Sequence, residues 1–462
     1  MAEIKRILIA NRGEIALRAL RTFKEMGKEV VCVYSTADRD ASYLELANAA
    51  ICIGEPKSSE SYLNIPAVIT AAEVSECDAI FPGYGFLSEN ENFVEACARH
   101  NLIFLGPSPV VMTTMADKSK AKAVMQKAGV PTIPGVDGIL KDANDAKEKA
   151  KGVGYPVILK ASAGGGGRGM RMVEDESYIE NAYLAAKSEA EAAFGDGSIY
   201  MEKFIKKPRH IEVQVMGDSH GNAIHFGERD CSLQRRHQKV IEEAPAIFLK
   251  PETRKKLHET AVKAVKALKY EGAGTLEFLV DADQNFYFME MNTRLQVEHT
   301  ISEMISNRDI IELMVRVAEG EKLPDQSEIE LSGHSIECRI TAEDPVRFVP
   351  CPGKIKHWQA PGGRNVRVES HCYTGYIVPP YYDSLVAKLV VYDKTREKAI
   401  AKMVQALSEF KIGGIKSTID FHIDMLGNPD FVENKFDTKY LERYLEHKEH
   451  SRLALNLCEI DS

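Results

Sequence analysis

Three stretches of the 462-residue chain bring together residue types that could handle a phosphorylated substrate and a metal. The first, Ala161-Ser162-Ala163-Gly164-Gly165-Gly166-Gly167-Arg168-Gly169-Met170, follows a strand-like run ending in Lys160. Consecutive glycines let backbone N–H groups close around an anion, and the flanking Lys160 and Arg168 add charge. No GK[ST] follows, which disfavours a Walker-type P-loop. An isolated glycine run is also what an ordinary surface loop looks like; its position between a strand and a cation moves it towards phosphate.

The second stretch is Gly274–Val280, a polar turn Asp281–Asn285, and Phe286–Asn292, the pattern of two alternating strands joined by a turn. A period of two places Glu290 and Asn292 on one face, with Glu277 facing them from the neighbouring strand. Two carboxylates and an amide oxygen are donors that Mg²⁺ accepts alongside phosphate oxygens. A solvated acidic face is the plainer reading, but the intervening residues are apolar and that face needs covering. The third stretch extends the second. If the chain stays extended, Arg294, Gln296 and Glu298 share the same side, where a guanidinium beside a carboxylate would seat a small oxyanion and offer a base. Alone, Arg-x-Gln-x-Glu is a common surface-strand pattern; its neighbours give it meaning.

Cys231 to Val240 is dense in cations and amides, including Gln234, His237 and Lys239. It lacks the aromatic interleaving of a nucleic-acid surface and reads as a pocket wall near phosphates or ribose. Lys118, Lys203, Arg209 and His210 join the pool of cations, each by itself more typical of a solvated charge. His334–Ile340 reads as a strand with Glu337 and Arg339 on one face, and by pattern alone Arg339 is a surface residue. Asp383 in Pro379–Ser384 either supports a site or caps a turn.

These residues need a scaffold. Ile7–Ala10, Val30–Tyr34, Ala79–Phe81 and Leu102–Leu105 read as strands alternating with helices Glu14–Met26 and Pro66–Glu76, which implies a parallel sheet covered on both faces. The first strand–helix turn, Asn11-Arg12-Gly13-Glu14, is not GxGxxG, so the fold is doubly wound without a dinucleotide fingerprint. After helix Lys118–Ala128, Pro131 and Pro134 mark a boundary. The following segment holds strand Pro156–Lys160, a helix near 176–193 and strand Ser198–Glu202, small and complete enough to move as a lid. A strand-rich stretch from Ile211 to Arg294 is interrupted by helix Pro251–Leu268. A further strand-rich stretch runs from Gly333 to Val391, then a helix from Thr395 to Phe410. The class is α/β followed by α+β.

Composition narrows the alternatives. Asp and Glu (68) outnumber Lys and Arg (59), a net charge of −9 that argues against a general nucleic-acid binder. Nine scattered cysteines without a CxxC pair suit a reducing compartment. The opening apolar run is too short for a signal peptide, and no stretch is long enough to span a membrane, so the expected location is the cytoplasm.

The chain closely resembles the biotin carboxylases of the ATP-grasp superfamily. The likeness runs through Ile-Ala-Asn-Arg-Gly-Glu-Ile-Ala (9–16), Gly-Tyr-Gly-Phe-Leu-Ser-Glu-Asn (83–90), the glycine loop, Glu228-Arg229-Asp230-Cys231-Ser232, Gln-Arg-Arg-His-Gln-Lys (234–239), Glu-Met-Asn-Thr-Arg-Leu-Gln-Val-Glu-His (290–299), Tyr-Thr-Gly-Tyr (373–376) and Pro-Pro-Tyr-Tyr-Asp-Ser (379–384). It covers about residues 4 to 445. It implies a Rossmann-like N-terminal domain (1–114), an ATP-grasp domain (115–334) with a mobile glycine-rich lid at about 132–204, a mixed α+β C-terminal domain (335–447) and a tail (448–462). ATP would be bound by Lys118, Lys160, Gly165, Gly166, Gly167, Glu202, Lys203, Phe204, His210, Gln234, His237, Glu277, Leu279 and Glu290. Glu277, Glu290 and Asn292 would hold Mg²⁺ or Mn²⁺, in all two ions. Lys239, Arg294, Gln296, Val297, Glu298, Arg339 and Tyr84 would contact bicarbonate or biotin, with Glu298 as base and Arg339 stabilising the biotin enolate.

The resemblance further implies a homodimer, a biotin carboxyl carrier protein and carboxyltransferase subunits as partners. It implies acetyl-CoA carboxylase, the first step of fatty acid synthesis, or a two-subunit pyruvate carboxylase as the parent complex. A carbamoyl-phosphate synthetase-like ligase would share the lid and metal strand without needing Arg339. The nearest approach to a biotinylated lysine, Ala401-Lys402-Met403, lies inside an expected helix, so the carrier is expected in trans. The departure from the family pattern is Thr300 in place of proline after Val-Glu-His, expected at most to alter a local turn.

Overall fold

The computed structural model describes residues 3–136, 138–162 and 169–448. They form two compact units: one drawn from Met1–Val130, Arg209–Phe278 and Glu290–Ser462, the other from Pro131–Pro208 and Leu279–Met289.

In the larger unit, five parallel strands lie in the order Ala49–Gly54, Glu29–Ser35, Arg6–Ile9, Ala79–Phe81, Ile103–Phe104. The apolar runs of the middle strands form them because both faces are covered, by Gly13–Glu25 and Ile65–Val74 among others. Strand order reverses at Arg6–Ile9, so the segment Asn11–Glu14 leaves its carboxyl end at the switch point of a doubly wound sheet. The edge strand Ala49–Gly54 and the helix Glu91–Arg99 were not evident from the pattern. The strand is mostly exposed and lacks alternation, and the short helix depends on its Asn90 cap, whose side chain accepts from the Phe93 N–H.

The second sheet has eight strands in the order Phe286–Asn292, Gly272–Val280, Arg209–Gly217, Ala223–Arg235, Gln238–Ala244, His334–Thr341, Leu385–Asp393, Val366–Glu369. Its central strands are polar yet buried: every residue of Arg209–Gly217 is buried, Glu212 and Gln214 completely. Helix Pro251–Leu268, begun by a proline in its first turn, packs on Ala223–Arg235 and Arg209–Gly217. Helix Arg396–Glu409 buries Ala399, Met403 and Leu407 against Ile336, Cys338 and Leu389. The Ala401-Lys402-Met403 string lies within that helix, as expected.

In the smaller unit, Val157–Ala161 is the middle of three antiparallel strands, flanked by Met170–Val173 and Ile199–Lys203. Helices Ala143–Val153 and Ile179–Phe194 close over Val157, Leu159, Ile199 and Met201. Among the described residues no helix is long and apolar enough to cross a membrane.

Candidate active site

The metal-site expectation starts at the outer strands of the eight-stranded sheet. Asn292 Nδ2 donates to Glu277 Oε1 at 2.9 Å, so the two residues face each other as the period of two requires. Glu290 lies two residues before Asn292 on the same strand and, among the described residues, no side-chain hydrogen bond or ion pair holds its carboxylate. The surrounding protein and then the Glu277 charge push its carboxyl up, although it still meets solvent, and Lys118 opposes the rise. Glu277 is buried, which opposes its ionisation, yet Lys239 and His210 hold it well below the usual range. Crowded acid oxygens, one of them without a partner, fit a hard divalent cation.

The strand ends at Asn292, so Arg294, Gln296 and Glu298 do not extend it as the conditional register required. Residues 293–298 bend instead because Leu295 drops into the apolar core. The side chains nevertheless converge. Gln296 Nε2 donates to Glu277 Oε1 at 2.8 Å, Arg294 Nη2 to Asn292 Oδ1 at 3.2 Å, and Lys239 Nζ to Glu298 Oε1 at 2.6 Å. Lys239 Nζ also donates to Glu277 Oε1 at 2.9 Å and to Glu212 Oε2 at 2.5 Å. The other Glu298 oxygen accepts from Arg339 Nη2 at 2.9 Å, while Arg339 Nε donates to Glu242 Oε1 at 2.6 Å. Burial opposes charge on Glu298, but Lys239 and Arg339 hold its carboxyl below the usual range, so it stands as carboxylate. The same burial would depress Lys239 and Arg339; their carboxylate neighbours keep both firmly protonated.

Arg339 corrects the pattern reading. Its side chain is only 19 % exposed and joins two carboxylates, so it is no surface residue. Thr300 also does more than alter a turn: it is fully buried, and its hydroxyl donates to Glu337 on the strand His334–Thr341. Asp383 is a turn cap, accepting from the Leu385 N–H at 2.8 Å.

The other expected residues divide between the two units. In the larger, Lys118 is exposed at the start of helix Lys118–Lys127, and Gln234 is buried and donates to the Cys231 carbonyl. His237 is exposed in the left-handed turn at Arg236–His237. His210 Nε2 lies 3.1 Å from Glu277 Oε2; burial opposes its protonation, but Glu277 and Glu212 raise it to about 9. Tyr84 is half-buried. In the smaller unit, Lys160 pairs with Glu202 at 2.7 Å. Lys203 Nζ donates to the Gly154 and Tyr155 carbonyls at 2.7 and 2.9 Å, with Phe204 and Leu279 half-buried. Gly165, Gly166 and Gly167 lie outside the described residues.

Several functional neighbours escaped the sequence reading. Fully buried Arg229 donates to Glu212 at 2.6 Å and to Gln296 Oε1 at 2.7 Å, locking the loop to the sheet. Glu89 accepts from Arg294 Nε at 2.7 Å. Both lie in stretches carrying the family likeness, and the alternating His210, Glu212, Gln214 within a strand-like run was the available signal.

These features define an ATP-binding enzyme fold with a carboxylate-rich centre, and comparison with known proteins agrees. Residues 117–326 match the family described as carbamoyl-phosphate synthase L chain, ATP binding domain. Residues 3–112 and 337–443 match the biotin carboxylase N-terminal and C-terminal domains. A Nostoc biotin carboxylase is 52 % identical over 439 residues, 95 % of this chain and 98 % of the relative. The Campylobacter jejuni biotin carboxylase–β,γ-ATP complex is 68 % identical, with a TM-score of 0.90 over 96 % of this chain and 99 % of that one. The biotin carboxylase domain dimer of Hydrogenobacter thermophilus 2-oxoglutarate carboxylase, solved with MgADP, ADP and bicarbonate, is 47 % identical, with a TM-score of 0.88 over 96 % and 98 %. The chain belongs to the biotin carboxylase family.

Proposed function

We propose that this protein is an ATP-dependent ligase that carboxylates biotin on a carrier protein, consuming bicarbonate. The observation that carries the reading is Glu298, a buried carboxylate gripped by Lys239 and Arg339 beside Gln296 and the acid pair Glu277/Glu290.

Bicarbonate seats against Arg294, Gln296, the Val297 backbone and Lys239. Glu298 accepts its proton, and the freed oxygen attacks the γ-phosphorus of ATP, giving carboxyphosphate and ADP. Carboxyphosphate breaks down to CO₂ and phosphate; the phosphate takes the ureido N–H proton of biotin, and the resulting enolate attacks CO₂. Arg339 stabilises that enolate, with Tyr84 beside the biotin. Glu277, Glu290 and Asn292 would hold Mg²⁺ or Mn²⁺, two ions in all, whose charge offsets that of the phosphates. From the family likeness, the ATP-binding residues are Lys118, Lys160, Gly165, Gly166, Gly167, Glu202, Lys203, Phe204, His210, Gln234, His237, Glu277, Leu279 and Glu290. Carboxyphosphate survives only where water is kept from it.

We infer three domains, 1–114, 115–334 and 335–447, from the family likeness. The eight cysteines among the described residues are unpaired, which fits a reducing cytoplasm. The partners are the biotin carrier, carboxyltransferase subunits and a second copy of this chain. The favoured parent is acetyl-CoA carboxylase and the rival is pyruvate carboxylase; the carboxyltransferase chooses the acceptor. The test is ADP release with MgATP and bicarbonate, with and without free biotin. Stimulation that needs both biotin and bicarbonate is expected. ADP release indifferent to biotin but driven by another acceptor would move the chain to a sister ATP-grasp ligase.

A further inference from the structure

Lys388 is fully buried, yet the mechanism gives it no part. It lies directly opposite Arg339 in the antiparallel pairing of Leu385–Asp393 with His334–Thr341, so both side chains rise from one face. Its Nζ donates to the Val297 carbonyl at 2.8 Å, lies 3.3 Å from Glu14 Oε1, and sits 5.9 Å from the centre of the Tyr84 ring. Three separate segments therefore meet at one ammonium. Burying a lysine is costly unless it is paired and hydrogen-bonded, and this one spends a charge-assisted bond on a single backbone carbonyl.

The carbonyl is a consequential one. The segment between Asn292 and the helix His299–Ser306 has no strand or helix bonding of its own. Leu295 is anchored in the core, Gln296 by Arg229, and the Glu298 side chain by Lys239 and Arg339. The peptide joining Val297 to Glu298 is held by Lys388.

We propose that Lys388 is a positioning residue for bicarbonate: by holding the Val297 carbonyl it orients the peptide before Glu298 and so sets the base against the bound anion. This rests on the reading that Gln296–Glu298 seat bicarbonate. A misplacement of about 1 Å at such a point costs up to about 10²-fold in rate.

Removing Lys388 alone leaves Glu14 buried without its cation, which endangers folding. The informative comparison is therefore wild type, E14Q and the double variant E14Q/K388M, each scored for apparent KM of bicarbonate and of ATP in biotin-stimulated ADP release, and for calorimetric ATP binding. E14Q, which keeps the bond to Val297, is expected within about twofold of wild type, and the double variant to raise the bicarbonate KM about tenfold or more with the ATP KM nearly unchanged. Equal bicarbonate KM in E14Q and the double variant overturns the proposal, as does a parallel rise in both KM values, the mark of a merely structural lysine. Wild type without a bicarbonate and biotin requirement overturns the functional reading itself, and the inference with it.

Discussion

At the scale of single residues, the base and the cations around it are mutually dependent. Glu298 is kept ionised inside the protein by Lys239 and Arg339, and those cations are tolerated there because Glu212, Glu277, Glu242 and Glu298 surround them. Replacing Glu298 with Gln removes the proton acceptor while keeping the shape, and a fall in biotin carboxylation of about 10²–10⁴-fold is expected. Arg339→Ala is expected to cost about 10²–10³-fold by removing charge stabilisation at the enolate. ATP binding should persist in both, because neither residue is in the nucleotide set. Single-turnover carboxybiotin formation beside calorimetric ATP titration checks this, and turnover like wild type in either variant removes that residue's role. Spacing set Asn292 against Glu277, whereas Glu298 reaches the cluster only because the chain bends after Asn292. Arg339 was legible only through resemblance, since one arginine alternating along a strand looks solvated until its neighbours are known.

At the scale of elements, a second buried carboxylate shows how the C-terminal strands are bolted together. Glu243 on Gln238–Ala244 accepts from Arg396 Nε at 2.5 Å and lies 2.9 Å from His334 Nε2. Arg396, the first residue of helix Arg396–Glu409, also donates to the Phe431 and Val432 carbonyls. Burial opposes the Glu243 charge, but His334 and Arg396 win and hold its carboxyl at about 2. A depressed folded-state value means stability that is present above the ordinary carboxylate range and lost as pH falls towards 2. Glu243→Gln is therefore expected to cost about 3 kcal/mol near neutral pH, a deficit that narrows as pH falls from about 5. Urea unfolding of both proteins at pH 7, 5 and 4 checks it; a constant difference would show the carboxylate charge to be irrelevant. Elements with clear apolar periods were readable, among them Ala79–Phe81, Pro251–Leu268 and His334–Thr341. The bend after Asn292 was not, because it is set by where Leu295 finds its cavity rather than by any turn residue.

At the scale of the whole molecule, the proposed dimer gives an expected outcome: light scattering at micromolar concentration should return twice the chain mass, and a monomer that is fully active would remove the second copy from the functional unit. The sequence by itself determined the alternation of a doubly wound domain, the metal-type spacing of Glu277, Glu290 and Asn292, and the order of motifs that carries the family likeness. Those are local properties, written in periods of two and 3.6 and in short strings. Tertiary structure alone decided that Lys388, Glu14 and Val297 meet, that Thr300 reaches Glu337, and that Arg229 ties Gln296 to Glu212. Each of those contacts joins residues from different strands, helices or loops. A charged side chain read one residue at a time looks like surface; only packing reveals which charges are buried, and burial is what forces them to find one another.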